Sequence, residues 1–229
     1  MKQKIIFITA ENTGVGKTFV ACALTEALKT NGHRISTRKP LESYEQGETR
    51  DSELLSAASG EDVDLVTDPK WRYDVPMAPP MAAGILRKYV PSTGEVAETL
   101  SNYGKDTCVT LVEGAGGLYS PLTSDGNSLS LAELIHPKIF ILVIKSQLGA
   151  INNTLLSLRP LAGKNVVVYL NYHDNKNILH AENLQFLKDV VGDKNILPEH
   201  FEKIQFASDI NTLRDLCEKE LSCSHLLSG

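Results

Sequence analysis

The first thirty residues constrain the fold more than any other part of the chain. An apolar run at residues 4–9 breaks into a small, polar segment at residues 10–16, and a helical pattern follows from Lys17. This order predicts a strand, a phosphate-binding loop and a helix, because loop N–H groups and the helix dipole together attract a polyphosphate. Glu11 stands where such a loop normally opens with glycine, so an ordinary strand-to-helix turn is the alternative.

The loop residues divide into backbone donors and side-chain ligands. The expected backbone donors are Thr13, Gly14, Val15 and Gly16. The Lys17 ammonium would reach the β- and γ-phosphates, and the Thr18 hydroxyl would bind Mg²⁺. ATP with Mg²⁺ is therefore the expected ligand.

Composition narrows the class of protein. With 229 residues, 42% of them hydrophobic, the chain can bury a sizeable core, and we expect one domain spanning residues 1–229. A net charge of −5 without a basic block argues against nucleic acid as a partner. Four cysteines without a CxxC pair indicate reduced thiols, and no apolar run reaches the length of a membrane span, so a cytoplasmic protein with no membrane partner is expected.

Apolar runs alternate with helical patterns along most of the chain. Strands are predicted at residues 4–9, 34–37, 109–112, 139–144 and 166–170, and helices at 19–29, from 51, 95–100, 130–135, 151–158, 181–191 and 210–221. Unbroken Val/Ile/Leu strands between helices predict an α/β fold. The expected architecture is a doubly wound, mostly parallel sheet with helices on both faces, similar to P-loop NTPases.

Polar residues follow the predicted strands at the points where ligands bind in open parallel sheets. Lys39 follows the second strand, Glu113 ends the third before a run of glycines, and Asn171 follows a later one. Their common edge with the phosphate loop favours an ATP-using enzyme, with Glu113 as a Mg²⁺ ligand. Taken singly, Lys39 could be an exposed strand-end lysine, and Glu113 could point at water. Asp51 begins a helix and is either a second Mg²⁺ ligand or an N-cap.

Four motifs together resemble the dethiobiotin synthetase family over about three quarters of the chain. The family's Thr-x-Val-Gly-Lys-Thr appears at residues 13–18, and its Lys-Pro-x-x-Ser/Thr appears at residues 39–43. Its Val-Glu-Gly-Ala-Gly-Gly is intact at 112–117, and its Leu-Gly-x-Ile-Asn is intact at 148–152. The last two motifs are the more specific.

The resemblance implies an activity and a homodimer. The expected reaction is ring closure of 7,8-diaminopelargonic acid (7,8-diaminononanoate) with CO₂ and MgATP to dethiobiotin, in biotin biosynthesis. A carbamate would attack the γ-phosphate, and the second amine would close the mixed anhydride into a cyclic urea.

The resemblance also implies roles for single residues. Lys39 would bind the carbamate and stabilise transferred charge, Ser43 would orient it, and Lys17 and Thr13 would hold phosphoryl oxygens. Thr18, Asp51 and Glu113 would organise Mg²⁺. Asn12 would belong to the nucleotide site, and Asn171 would contact the base. The substrate carboxylate would be bound by a segment of the partner subunit, made up of Gly149, Ala150, Ile151 and Asn152. Alternatively, this segment only caps its own helix.

This chain departs from the family pattern at five positions. They are Ala10, Asn12, Glu42, Tyr44 and Pro80. The second hypothesis is a partner-regulated ATPase switch of the ParA/MinD type, but such switches carry a second lysine early in the phosphate loop, which this chain lacks. The third is a nucleotide sensor without catalysis.

Overall fold

The computed structural model describes residues 4–102, 109–191, 193, 195–197 and 199–221. The strands among them are β1 (Lys4–Ala10), β2 (Ile35–Arg38), β3 (Glu42–Ser43), β4 (Arg72–Tyr73), β5 (Val109–Glu113), β6 (Ile139–Lys145), β7 (Asn165–Asn171) and β8 (Lys203–Ala207). The α-helices are α1 (Lys17–Thr30), α2 (Asp51–Ser59), α3 (Val63–Val66), α4 (Pro79–Leu86), α5 (Thr93–Asn102), α6 (Ser128–Ile135), α7 (Ala150–Leu158), α8 (Ile178–Val190) and α9 (Ile210–Leu221). Short 3₁₀ turns lie at Pro69–Trp71 and Arg159–Leu161.

In the described part of the chain, six strands form one sheet in the order β2-β5-β1-β6-β7-β8, and each neighbouring pair is parallel. The short strands β3 and β4 form a separate parallel pair. Because β1 lies inside the sheet, its carboxyl end is flanked by the ends of β5 and β6. The predicted doubly wound parallel sheet is confirmed.

Alternating side chains of the strands build a core on each face of the sheet. In β1, Ile6 and Ile8 pack on the face covered by α1 and α9, whereas Phe7 packs on the opposite face with residues of α5, α6 and α7. All three side chains are fully buried. Helices on both faces explain why these strands are apolar without interruption.

Three local features differ from the sequence predictions. The edge strand β8 was not predicted, because its mixture of Lys, Gln and half-buried apolar residues lacks a strong pattern. The two-residue strands β3 and β4 are too short to show a period. The N-cap of α2 is Arg50, so Asp51 is the first helical residue and its N-cap interpretation is wrong.

The topology brings the predicted strand-end residues to one edge. Glu113 is in register with Ile8 of β1, and Val112 is in register with Arg38 of β2. Lys39 therefore emerges beside Glu113, next to the loop that follows β1. Among the described residues, no helix is both long and apolar enough to cross a membrane.

Candidate active site

The loop between β1 and α1 has the backbone of an anion-binding turn. Gly14 and Gly16 have positive φ angles of 75° and 89°, which glycine adopts without strain. The N–H of Thr13 donates to the side chain of Asn12 at 2.8 Å. A Cβ on Gly16 would lie 2.3 Å from the amide nitrogen of Asn171, so the loop has no room for a side chain there.

Glu11, at the place of the usual first glycine, ties the loop to its neighbours. Its carboxylate accepts a hydrogen bond from the Lys145 N–H at 2.8 Å and another from the Asn153 side chain. Its own N–H donates to the Val143 carbonyl at 3.2 Å. The loop is thus anchored to β6 and α7 by a carboxylate.

Four side chains meet behind the phosphate loop. The Lys39 ammonium lies 2.6 Å from Glu113 Oε1 and 2.8 Å from Asp51 Oδ2. The Thr18 hydroxyl lies 2.8 Å from Asp51 Oδ1 and 2.9 Å from Glu113 Oε1. The Thr18 hydroxyl has one proton and can donate to only one of the two carboxylates at a time. Asp51 and Glu113 therefore compete for the Thr18 proton, and both contact the Lys39 ammonium.

Burial and neighbouring charges shift the pKa values of this cluster. Burial, and after it the nearby charge of Lys39, lower the pKa of Lys17 to about 8. Burial opposes the charge on Lys39 too, but Glu113 and Asp51 outweigh it and raise the Lys39 pKa. Burial would raise the pKa of Asp51, but the charge of Lys39 and its hydrogen bond outweigh burial, so the Asp51 pKa is lowered. At Glu113 burial dominates and raises the pKa. Lys39 is therefore the fixed positive charge of the site, and Lys17 is the cation whose charge is held with least support.

The donor set fits Mg²⁺. Glu113 Oε2 is buried and has no hydrogen-bond partner among the described residues. Asp51 and the Thr18 hydroxyl lie beside it and could supply further hard oxygen ligands. No group of three His, Cys, Asp or Glu side chains with metal-binding geometry occurs in the described ranges. Two carboxylates and a hydroxyl suit Mg²⁺, which usually completes its shell with water and substrate phosphates.

A cavity of about 540 Å³ opens in front of this cluster. The predicted site residues along its wall are Thr13, Gly14, Gly16, Lys17, Thr18, Lys39, Ser43 and Asp51. Residues 76–79 of the proline-rich segment also line it, together with Ala115 and Gly116 of the glycine-rich turn. Ser120, Pro121 and Tyr172 complete the wall. Asn12 and Val15 line instead a second cavity of about 380 Å³, which Lys145, Gln147 and Asn153 border.

Tyr172 also lines the larger cavity, although no sequence pattern predicted it. Its φ angle of +57° is unusual for a bulky residue. The Lys145 ammonium lies over its ring, 5.8 Å from the ring centre. Its position directly after Asn171 is the one sequence signal that could have indicated it.

The structure places Asn171 under the phosphate loop. Its side-chain amide donates to the Val15 carbonyl at 2.8 Å, and the residue is only 4% exposed. The described lining of the larger cavity includes Tyr172 but not Asn171. Asn171 thus supports the loop, and its predicted contact with the base stays a prediction.

The segment Gly149, Ala150, Ile151 and Asn152 is not brought to the larger cavity of its own chain. Gly149 is the N-cap of α7, with a φ angle of +92°, and Ala150 is buried. The exposed Asn152 side chain donates to Asn153 at 3.3 Å, and the preceding Leu148 is 84% exposed. The start of α7 therefore faces outward.

The first strand of the parallel sheet leads through a glycine-bearing anion-binding loop into a helix, and a threonine and two carboxylates lie beside that loop. This arrangement defines a P-loop nucleotide-binding protein. Residues 4–185 match a family model described as an AAA domain. The chain is 30% identical over 210 residues to the ATP-dependent dethiobiotin synthetase BioD of Aquifex aeolicus (strain VF5), which covers 90% of this chain and 94% of that protein. The chain belongs to the ATP-dependent dethiobiotin synthetase family.

Further relatives agree with this assignment. The ATP-dependent dethiobiotin synthetase BioD of Anaeromyxobacter dehalogenans (strain 2CP-1 / ATCC BAA-258) is 34% identical over 164 residues, covering 71% of this chain and 73% of that protein. A plasmid partition protein from Borrelia burgdorferi has a TM-score of 0.52 at 14% identity, with 96% of each chain covered. The latter likeness shows the fold alone. The predicted family of ATP-dependent synthetases is confirmed.

Proposed function

We propose that this chain closes 7,8-diaminopelargonic acid and CO₂ into dethiobiotin, with ATP converted to ADP and phosphate, in biotin biosynthesis. Family membership supports the reaction. The observation that carries it is the Lys39 ammonium held between Asp51 and Glu113 beside the phosphate loop. A lysine at this position serves an anionic substrate that meets a phosphoryl group.

The bonds change in three steps. One substrate amine attacks CO₂ and loses a proton, which forms a carbamate. A carbamate oxygen then attacks the γ-phosphorus, and the bond to ADP breaks. The second amine attacks the carbamoyl carbon and loses a proton, and phosphate leaves as the cyclic urea closes. Positioning and fixed charge supply most of the rate in such a sequence.

The residues of the cavity divide this work. Lys39 binds the carbamate oxygens and stabilises the charge that develops on transfer, while Ser43, on the same wall, orients the carbamate. Lys17 and Thr13 hold phosphoryl oxygens. Thr18, Asp51 and Glu113 would hold Mg²⁺, which neutralises phosphate charge when bound.

The test is phosphate release from MgATP and bicarbonate with and without the diamine. The proposal expects release that depends on the diamine and that Lys39→Met abolishes. Lys138→Ala, which removes an exposed lysine, is the matched control and should keep full activity. Release without the diamine would instead indicate a switch ATPase, and nucleotide binding without any release would indicate a sensor.

We further propose that two copies of the chain share each active site. The substrate carboxylate lies several carbon–carbon bonds from the amines that must reach Lys39. The first N–H groups of α7 have no partner within the helix and could receive a carboxylate, yet this segment does not line the larger cavity of its own chain. A two-fold dimer would supply that segment from the partner.

Mixing two inactive variants tests the shared site. Lys39→Ala and Asn152→Ala homodimers should each be nearly inactive. In heterodimers, one site would carry both lesions and the other would be intact, so mixing should restore activity. Mixtures that stay inactive, despite heterodimers shown by differential tagging, would refute sharing.

A further inference from the structure

Glu42 is a buried carboxylate that joins two elements of the site. It is the first residue of β3 and is 1% exposed. Its Oε1 accepts the backbone N–H of Ser52 at 2.7 Å, and its Oε2 accepts the Ser52 hydroxyl at 2.7 Å. Ser52 is the second residue of α2, so its N–H has no partner within the helix.

Helix capping alone does not explain this carboxylate. The N-cap, Arg50, makes no side-chain cap, because a guanidinium cannot accept an N–H. A serine or asparagine at position 50 would cap the helix locally without burying a charge. Among the described residues no ion pair with Glu42 occurs, and both of its hydrogen bonds go to Ser52.

The two elements that the Glu42–Ser52 hydrogen bonds join, β3 and α2, both carry residues of the candidate site. Ser43, the next residue in β3, lines the larger cavity. Asp51 directly precedes Ser52 in α2, and its two carboxylate oxygens contact Thr18 and Lys39, one each. On its other side, β3 is fixed by pairing with β4.

We propose that Glu42 is a positioning residue, which fixes the first turn of α2 against β3 and thereby sets Asp51 in place as a metal ligand relative to Ser43. This inference rests on the proposed metal role of Asp51.

Binding of Mn²⁺ to the protein with ADP, followed by electron paramagnetic resonance, measures the proposed effect without turnover. Glu42→Ala should weaken Mn²⁺ binding about 10-fold, the size seen when support of a metal ligand is lost. Glu42→Gln should keep most of the affinity, because its amide can accept the Ser52 N–H and donate to the Ser52 hydroxyl. Glu53→Gln, on the exposed side of the same helix, is the control and should bind Mn²⁺ normally.

The double variant Glu42→Ala/Arg50→Ser separates positioning from capping. It restores a local N-cap but not the link to β3, and Arg50→Ser alone controls for the lost charge. Positioning predicts that the double variant regains the melting temperature while Mn²⁺ binding stays weak. Recovery of both quantities, or equal loss in Glu42→Gln and Glu42→Ala, would overturn the proposal.

Asp51→Asn keeps the two proposals apart. If it leaves Mn²⁺ binding unchanged, the metal role of Asp51 fails, and the inference about Glu42 fails with it. If Asp51→Asn weakens Mn²⁺ binding but the folded Glu42→Ala variant does not, the metal role stands and only the positioning role of Glu42 is wrong.

Discussion

Replacing Lys17 with methionine should stabilise the protein without ligand while removing its affinity for nucleotide. The Lys17 ammonium is buried, and its pKa is lowered from 10.5 to about 8, first by burial and then by Lys39. A shift of this size corresponds to about 3 kcal/mol against the charged form. The variant also loses the hydrogen bond from the Lys17 ammonium to the Asn12 carbonyl, worth about 1.5 kcal/mol for a charged donor.

The expected net gain at pH 7 is therefore about 2 kcal/mol, or roughly 4–8 °C in melting temperature for a domain of this size. The gain must depend on pH. Between the folded pKa of Lys17, about 8, and its ordinary value of 10.5, the unfolded chain binds more protons than the folded one. The free energy of unfolding of the wild type therefore rises with pH relative to that of the variant, and the two proteins should be about equally stable near pH 9.5.

Thermal melts of both proteins at pH 7 and pH 9.5, with and without ADP, measure these differences. Lys29→Met, on the same helix, is the control, because Lys29 is exposed, and its loss removes hydrogen bonds to the Ala58 and Ser59 carbonyls and should not stabilise the protein at either pH. A lower melting temperature for Lys17→Met at pH 7, or the same difference at both pH values, would contradict the reasoning.

Further predictions concern the proposed metal ligands, the phosphate loop and the nucleotide base. Asp51→Asn and Glu113→Gln should each lower turnover by about 100-fold while thermal melts show an intact fold, whereas unchanged turnover would return both to structural roles. Gly16→Ala should destabilise the protein by more than Gly163→Ala, because both strain a positive φ but only the first meets Asn171, and equal melts would disprove the contact. Because the Asn171 amide is committed to the loop, ATP should be only weakly preferred over other nucleoside triphosphates, and a large preference in parallel kinetic assays would refute this.

The parts of the site that the sequence predicted are those set by local pattern. The apolar run of β1 and the glycine-lysine-threonine turn locate the phosphate loop within a few residues. Lys39 and Glu113 could be placed together because parallel strands end at one edge of the sheet. These predictions needed only strand direction, not side-chain contacts.

The features that were missed depend on contacts between distant residues. Glu42 and Ser52 belong to different elements, and neither has a periodic pattern that signals their hydrogen bonds. Tyr172 reaches the cavity through an unusual backbone angle, which residue type does not predict. Asn171 was predicted correctly as a strand-end residue, but its bond to Val15 depends on how closely β7 approaches the phosphate loop.

The most direct test of the proposed function follows a carbon label through the reaction. The purified protein is incubated with 7,8-diaminopelargonic acid, MgATP and ¹³C-bicarbonate, and dethiobiotin and phosphate are quantified together by mass spectrometry and colorimetry. We expect dethiobiotin with one added mass unit in its urea carbonyl, one phosphate for each dethiobiotin, and neither product from Lys39→Met. Phosphate released without labelled dethiobiotin would contradict the proposal, because Lys39 and the phosphate loop would then serve a different acceptor.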